Sequence, residues 1–206
     1  MCPLALAILI YPNPCRVVAT KWQYRQEGIT GLAAFAESFD FAANDILRSS
    51  SSVLSLVKEH TRGFKETNIN VVRSIIELFL AWCDCHQKAG SPFPRWAMGD
   101  GVELAINKIA DKKLSAISKS LLSSFCIVQA PPSVLEAVQT GVEKVRSPLA
   151  HEETLKWFNT FCLEFGAACI GTGLHGTISW LLEVRFIAIV LPILLRVLTG
   201  FLRDML

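Results

Sequence analysis

The chain has 206 residues, of which 51% are hydrophobic and 18% charged, and its formal net charge is +2. A chain this apolar is expected to fold rather than to remain disordered. The small net charge argues against general nucleic-acid binding, which requires many phosphates to be neutralised. Any basic function must therefore come from local clusters of Lys and Arg.

The seven cysteines are spread along the chain, several of them inside apolar helical patterns. This usage is typical of small buried side chains in a reducing, intracellular compartment and not of a disulfide framework. The amino-terminal run "MCPLALAILIY" is apolar, but it lacks the positive flank and the cleavage site of a secretory signal. We interpret residues 1–20 as an N-terminal lead-in.

Between Trp22 and Gly166 apolar residues recur three or four positions apart, and no sustained alternation appears, so the sequence predicts an all-α fold. Three polar stretches, "KETN", "DKK" and "SPLAH", each precede a helix with one apolar face. The residues of these three faces are, in order, Ile69, Val72, Ile76, Phe79 and Cys83; Leu114, Ile117, Leu121, Phe125 and Val128; and Leu155, Phe158, Cys162 and Phe165.

Each of these helices has an apolar partner before it, predicted at 53–64, 102–110 and 134–145. The breakers "GSPFP" at 90–94 and "APP" at 130–132 separate one pair from the next, and Pro132 is expected in the first turn of its helix. The repeating unit is therefore a helical hairpin.

The corners of these hairpins recur regularly. Trp22, Thr67 and Lys112 are forty-five positions apart, and Pro148 follows thirty-six later, a period expected of HEAT or armadillo-type repeats. Such hairpins stack into a solenoid because none of them can bury its apolar face alone. All the corners within hairpins then emerge along one edge, which we call the rim.

The predicted rim carries "KWQYR" at 21–25, "KETN" at 65–68, "DKK" at 111–113 and "VRSP" at 145–148. It is mainly basic and has a large aromatic residue at its first corner. Cations and aromatic anchors supply steering and interface energy, so this composition favours an acidic protein surface as the partner.

The segments "KWQYRQEGITGL", "FKETNINVVRSIIELF", "INKIADKKLSAISKSLL" and "VRSPLAHEETLKWFNTFCLEFG" together resemble the TOG domains of microtubule-polymerising proteins. The similarity covers residues 21–171 and is nearest to an interior TOG domain, with about four of the usual six hairpins. It implies a HEAT-repeat domain that binds tubulin, acts at microtubule plus ends and in spindle organisation, and is located in the cytoplasm and cytoskeleton.

The resemblance also implies which residues contact tubulin, all of them at corners within hairpins. Carried over by position, these are Lys21, Trp22, Arg25, Thr67, Asn68, Asn70, Lys112, Lys113, Arg146, Ser147 and Pro148. The domain would bind and release soluble tubulin, without nucleotide chemistry or a cofactor of its own.

Several of these residues also have a structural interpretation. Trp22 could anchor the first helix in the core, and Asp111, Thr67 and Asn68 are suitable helix N-caps. Lys112 and Lys113 lie near a helix amino terminus, where cations are disfavoured, so a binding partner would explain them. The other tryptophans are expected to be packing residues: Trp82, Trp96, Trp157 and Trp180.

A catalytic or metal-binding function has little support in the sequence. Cys83, Cys85 and His86 are close in "WCDCHQ", but positions two apart on a helix point about 200° away from each other, and no second Cys/His pair follows. The histidines show no link to a nucleophile, and "GTGLHG" follows no predicted strand. We expect neither an enzyme nor a metal site.

Residues 172–206 depart from the family pattern. The uncharged run from Phe186 to Leu195 is ten residues long and contains Pro192, so it is too short to cross a bilayer. This apolar segment could form the terminal layer of the solenoid, lie on a membrane surface, mediate self-association or be an alternative end. The second functional hypothesis is therefore a helical-repeat scaffold that binds another acidic partner and associates with membranes through this segment.

Overall fold

The computed structural model describes residues 16–38 and 43–166, which form seven α-helices and no strand. The predicted all-α class is confirmed. Residues 1–15 of the lead-in, Trp180 and the segment 172–206 lie outside the described residues. The helices are α1 Trp22–Ser38, α2 Ala43–His60, α3 Ile69–Lys88, α4 Arg95–Lys108, α5 Ser115–Val128, α6 Pro131–Lys144 and α7 Pro148–Phe165.

The partner helices differ from their predicted bounds at both ends. Helix α2 stops at His60 and not at residue 64, because Arg62, Gly63 and Phe64 have φ angles of 53°, 73° and 64°. The Gly63 N–H donates to the carbonyl of Lys58 at 2.9 Å and closes the helix end. Helix α4 begins earlier than predicted, directly after Pro94.

Helix α6 extends over Pro131–Lys144, so Pro132 lies in its first turn, as predicted. The helix begins three residues before the predicted start. Proline is tolerated at the first helical positions, because the N–H that it lacks would have no intrahelical acceptor there.

Alternate helices pack on one another. Helix α1 packs along α3, α3 along α5, and α4 along α6, while α7 contacts α4, α5 and α6. The Lys58 ammonium of α2 reaches the Asp100 carboxylate of α4 at 2.6 Å. The described core is therefore continuous from α1 to α7.

Aromatic rings occupy the centre of this core. The ring centroids of Phe79, Phe93 and Phe125 lie 5.3–6.3 Å apart, and Phe64 contacts Phe79 at 5.2 Å. The predicted apolar faces of α3, α5 and α7 are buried or packed against this core. Their sequence pattern was thus a correct guide to the buried side of each helix.

The prediction for the tryptophans holds for two of the three described. Trp82 and Trp157 are buried, but Trp96 is 38% exposed, so its assignment as a packing residue is wrong. The Lys58 ammonium lies 5.3 Å from the centroid of the Trp96 ring. Trp96 is in the first turn of α4, where one side of the helix faces solvent.

Among the described helices, none combines the length and apolarity needed to cross a membrane.

His86 connects the end of α3 to two other segments of the core. Its ring is fully buried, with Nε2 2.9 Å from the Ser50 hydroxyl and Nδ1 3.2 Å from the carbonyl oxygen of Ser91. Because a carbonyl can only accept, the neutral ring donates from Nδ1 and accepts from Ser50 at Nε2. Burial lowers the pKa of His86 below its ordinary value and outweighs its backbone hydrogen bonds.

Two glycines of α4 provide a matched test of the packing. A Cβ at Gly101 would lie 2.7 Å from Phe125 Cζ and 3.2 Å from Phe79 Cε1, whereas a Cβ at Gly99 meets nothing within 4 Å. We expect Gly101→Ala to lower the free energy of unfolding by about 1–3 kcal/mol through overpacking. Gly99→Ala should raise it by about 0.5–1 kcal/mol, because alanine loses less backbone entropy in a helix. Urea denaturation followed by circular dichroism measures both; equal effects would contradict the described packing.

The His86 environment predicts a pH dependence of stability. The folded pKa lies below the ordinary value of 6.5, so the unfolded chain binds more protons as the pH falls below 6.5. The free energy of unfolding should therefore decrease from pH 6.5 towards pH 5, by at most about 1.4 kcal/mol per pH unit from this group.

His86→Gln should flatten that decrease. Glu153 also has a lowered pKa, but its effect on stability appears only below its ordinary pKa of 4.5 and therefore outside the range from pH 5 to pH 6.5. Chemical denaturation at pH 5.0, 5.5, 6.0 and 6.5 compares the two proteins, and parallel curves would show that His86 is not responsible.

Candidate interaction rim

The loops that lead into α1, α3, α5 and α7 lie along one edge of the molecule. The Arg25 guanidinium pairs with the Glu66 carboxylate at 2.9 Å, and Arg73 Nη2 donates to the Lys113 carbonyl at 2.6 Å. Between the beginnings of α5 and α7, the Lys119 ammonium lies 2.5 Å from the Glu153 carboxylate. Each bridge joins one predicted corner, or the helix just after it, to the next.

Further contacts show that these helices run in the same direction. Beyond the Arg25 bridge, Thr30 of α1 lies 3.2 Å from Ser74 of α3, hydroxyl to hydroxyl. Beyond the Lys119 bridge, the Trp157 indole N–H donates to the Ser123 hydroxyl at 3.0 Å. In each pair of helices, a contact at a higher residue number on one helix also has a higher residue number on the other, which requires the two helices to be parallel. The amino-terminal ends of α1, α3, α5 and α7 therefore share one edge, and the corners predicted to form the rim are brought together there.

At the first corner, Trp22 is half-buried and packs against the core, so part of its ring has the structural role that the sequence left open. The exposed aromatic residue is Tyr24, which is 44% exposed. The Arg16 guanidinium and the Lys21 ammonium lie 5.6 and 6.0 Å from the centroid of its ring. Sequence reasoning missed Tyr24, because only the path of residues 16–21 across α1 places the two cations beside it.

Arg25 is a structural link between the first two corners. Its guanidinium donates to the carbonyls of Ala19 at 2.9 Å and Thr20 at 2.7 Å, in addition to its bridge to Glu66. The Arg25 and Glu66 side chains are 16% and 11% exposed. Little of this predicted contact residue is left for a partner. Glu66, which the sequence did not single out, neutralises it.

At the second corner, Asn68 is the N-cap of α3. Its Oδ1 accepts from the N–H groups of Asn70 at 3.0 Å and Val71 at 3.5 Å, which is the capping role considered from the sequence. The side chains of Thr67 and Asn70 are exposed on either side of the cap. This corner therefore offers hydroxyl and amide groups to a partner.

Lys112 and Lys113 are exposed at the third corner. Within the described part of the chain, neither ammonium group pairs with a carboxylate. Asp111 Oδ1 accepts the Lys113 N–H at 2.8 Å, and the Asp111 carbonyl accepts from Ser115 at 2.7 Å. These are the bonds of a capping residue, as expected, but the regular helix α5 begins only at Ser115, so Asp111 caps the turn that leads into the helix.

At the fourth corner, Ser147 is the N-cap of α7. Its Oγ accepts from the Ala150 N–H at 3.3 Å, and Pro148 occupies the first helical position. The side chains of Arg146 and Pro148 are exposed. His151 Nε2 lies 2.6 Å from the Val145 carbonyl and holds the loop against the helix.

The exposed ionisable side chains of the four corners are mostly cations. Those within the predicted corner segments are Lys21, Lys65, Lys112, Lys113 and Arg146, against the single exposed carboxylate of Asp111. Such a row produces a positive potential along the rim and increases the association rate with a negative surface.

The tryptophan, cysteine and histidine side chains of the "WCDCHQ" stretch lie in the core, while those of Asp84 and Gln87 are exposed. The Cys85 thiol donates to the Ala36 carbonyl at 3.1 Å, and the two nitrogens of His86 face Ser50 and Ser91. Burial raises the pKa of Cys83, and it raises the pKa of Cys85 to about 11, so both thiols are protonated at neutral pH. In 16–38 and 43–166, no three His, Cys, Asp or Glu side chains are grouped so as to hold a metal ion.

The Arg25–Glu66 bridge predicts a measurable coupling. Arg25→Met should lower the free energy of unfolding by about 1–3 kcal/mol, because it leaves a mostly buried carboxylate without its partner. In a cycle with Glu66→Gln, the coupling energy should be about 0.5–3 kcal/mol. The exposed Arg16–Glu27 pair serves as the control, with an expected coupling below about 1 kcal/mol. Equal couplings for the two pairs would remove the structural role assigned to Arg25.

Comparison with known proteins gives one informative similarity. No protein-family model and no solved structure matches the chain. The chain is similar to centrosomal protein 224 of Dictyostelium discoideum, with 25% identity over 157 residues. The aligned part covers 76% of this chain and 8% of that protein. The chain thus corresponds to one small part of a much longer relative.

Proposed function

We propose that the chain is a TOG-like, HEAT-type helical-repeat domain that binds tubulin through its rim. The observation that carries the proposal is the alignment of four corners along one edge, joined by the Arg25–Glu66, Arg73–Lys113 and Lys119–Glu153 contacts. A stack of parallel helices with its loops on one side is the geometry by which repeat proteins build extended binding surfaces.

The side chains of the rim have two kinds of role in this proposal. Arg25, Asn68 and Ser147 are engaged within the domain and position the corners. The residues available to tubulin are those with exposed or half-exposed side chains: Lys21, Trp22, Tyr24, Thr67, Asn70, Lys112, Lys113, Arg146 and Pro148. The cations steer and orient an acidic surface, while the two aromatic rings supply apolar contact area.

The proposed mechanism is reversible binding. The rim is held by contacts within the domain before any partner arrives, so little ordering free energy is lost on association. A linked series of such domains would capture soluble tubulin and release it at a growing microtubule end. The similarity to a part of a centrosomal protein supports a location related to the cytoskeleton. Within the proposal, the specific location is the cytoplasm, on microtubules and the spindle.

Size-exclusion chromatography with purified tubulin tests the proposal. We expect the chain to comigrate with tubulin at low salt and to lose comigration as the ionic strength rises. The double change Lys112→Ala with Lys113→Ala should weaken binding at least about tenfold and leave stability within about 0.5 kcal/mol, because both side chains are exposed surface groups.

The matched control is Lys88→Ala with Arg95→Ala, which removes the same charge from exposed positions. These residues flank the loop after α3, a helix of 20 residues and therefore about 30 Å long, so they lie far from the rim. If both double variants bind tubulin equally well, the rim is not the binding surface. If the unmodified chain fails to comigrate at low salt, the tubulin proposal is wrong.

A further inference from the structure

Two Ser–Pro dipeptides occur in the chain, Ser91–Pro92 in the loop between α3 and α4 and Ser147–Pro148 where the loop after α6 enters α7. A serine followed by proline is the sequence that proline-directed protein kinases modify, provided that the surrounding backbone can be held extended in the kinase cleft. The two sites differ in how firmly the residues that follow the proline are held in the core.

Ser147 lies in a loop whose neighbours are open to solvent. Val145 and Ser147 have extended backbones, with φ, ψ angles of −98°, 124° and −79°, 115°. Arg146 and Pro148 are exposed, and the Leu149 side chain is 50% exposed. The Ser147 hydroxyl accepts one long bond from the Ala150 N–H, which leaves its own hydrogen unused in that contact. His151 also holds this loop, because its N–H donates to the Ser147 carbonyl at 3.2 Å and its ring lies 2.6 Å from the Val145 carbonyl. A kinase can therefore reach the dipeptide by loosening the first turn of α7 and these two contacts, without withdrawing an aromatic side chain from the core.

Ser91 is held on both sides. Its N–H donates to the His86 carbonyl at 3.0 Å, and its own carbonyl faces the His86 ring. Two residues on, Phe93 is 2% exposed at the centre of the aromatic core, and Pro94 is buried as well. To present Ser91 in an extended conformation, the chain would have to withdraw Phe93 from its contacts with Phe79 and Phe125.

We propose that Ser147 is a phosphorylation site for a proline-directed protein kinase and that the modification weakens binding at the rim. The consequence for binding rests on the proposed function; the site itself does not. The kinase transfers the γ-phosphoryl group of ATP to Ser147 Oγ. One phosphorus–oxygen bond forms there, the bond to the bridging oxygen of ATP breaks, the hydroxyl proton passes to a base of the kinase, and ADP leaves.

The added phosphate has two effects of opposite direction. At the N-cap of α7 its negative charge lies beside the Ala150 N–H and the positive end of the helix dipole, which favours the folded state. On the rim the same charge, about −1.5 to −2 at neutral pH, offsets the cation of the adjacent Arg146 and repels an acidic partner. Phosphorylation of Ser147 should therefore stabilise the folded domain while it weakens binding to the acidic partner. A modification that simply unfolds the domain would weaken binding without stabilising the fold.

Phosphorylation of the full chain in vitro tests the site. The chain is incubated with a proline-directed Ser/Thr kinase and ATP, and the products are mapped by mass spectrometry. We expect phosphate on Ser147 and none on Ser91, with no incorporation into Ser147→Ala or Ser147→Asn. The second variant retains a capping side chain if the first fails to fold. An unmodified Ser147, or equal labelling of Ser91, would overturn the assignment.

The effect on binding is measured by comparing Ser147→Asp with Ser147→Asn. Asp and Asn cap helices about equally well and differ mainly in charge. We expect tubulin to bind the Asp variant at least about threefold more weakly, with the difference shrinking at high salt, and to bind the phosphorylated chain more weakly still.

These measurements separate the inference from the proposed function. Equal affinity of the Asp variant, the Asn variant and the phosphorylated chain would remove the regulatory role while tubulin binding stands. If the unmodified chain does not bind tubulin, the regulatory role falls together with the proposed function. The mass-spectrometric result then decides the phosphorylation site alone.

Discussion

The arrangement of the described helices depends on the burial of α3. Twelve of its 20 residues are buried, and it packs along α1 on one side and along α5 on the other. Each large apolar side chain withdrawn from water contributes about 1.5–3 kcal/mol, so the cover that α1 and α5 give to this helix stabilises their placement. The two neighbours are therefore held parallel to α3, and the loops that precede all three helices meet at one edge.

The rim is the consequence of that burial. Polar groups at its corners satisfy the free N–H groups of helix ends, as at Asn68 and Ser147, or join neighbouring corners, as at Arg25 and Glu66. Exposed lysines lie between these bonded residues. Such a surface presents cations on a rigid support, and less free energy is then lost in ordering the surface when a partner binds. The same reasoning underlies the proposed role in binding an acidic protein.

Ser147 illustrates how one position can serve stability and regulation together. As a cap it stabilises α7, and as the residue before Pro148 it lies in a loop that a kinase could engage. His86, in contrast, uses both ring nitrogens inside the core, and the loop beside it is tied to the aromatic cluster. Two loops with the same dipeptide thus differ in chemistry because one covers the core and the other borders solvent.

By itself the sequence determined the helical class, the apolar faces and the position of the corners, because a period of three to four residues is a local property of the chain. It also indicated Asn68 as a cap. Only the tertiary structure decided that Arg25 links the first two corners through Glu66, that Tyr24 is more exposed than Trp22 and that Trp96 faces solvent. These outcomes depend on which segment lies across each side chain, and contacts between distant parts of the chain leave no periodic signal in the sequence.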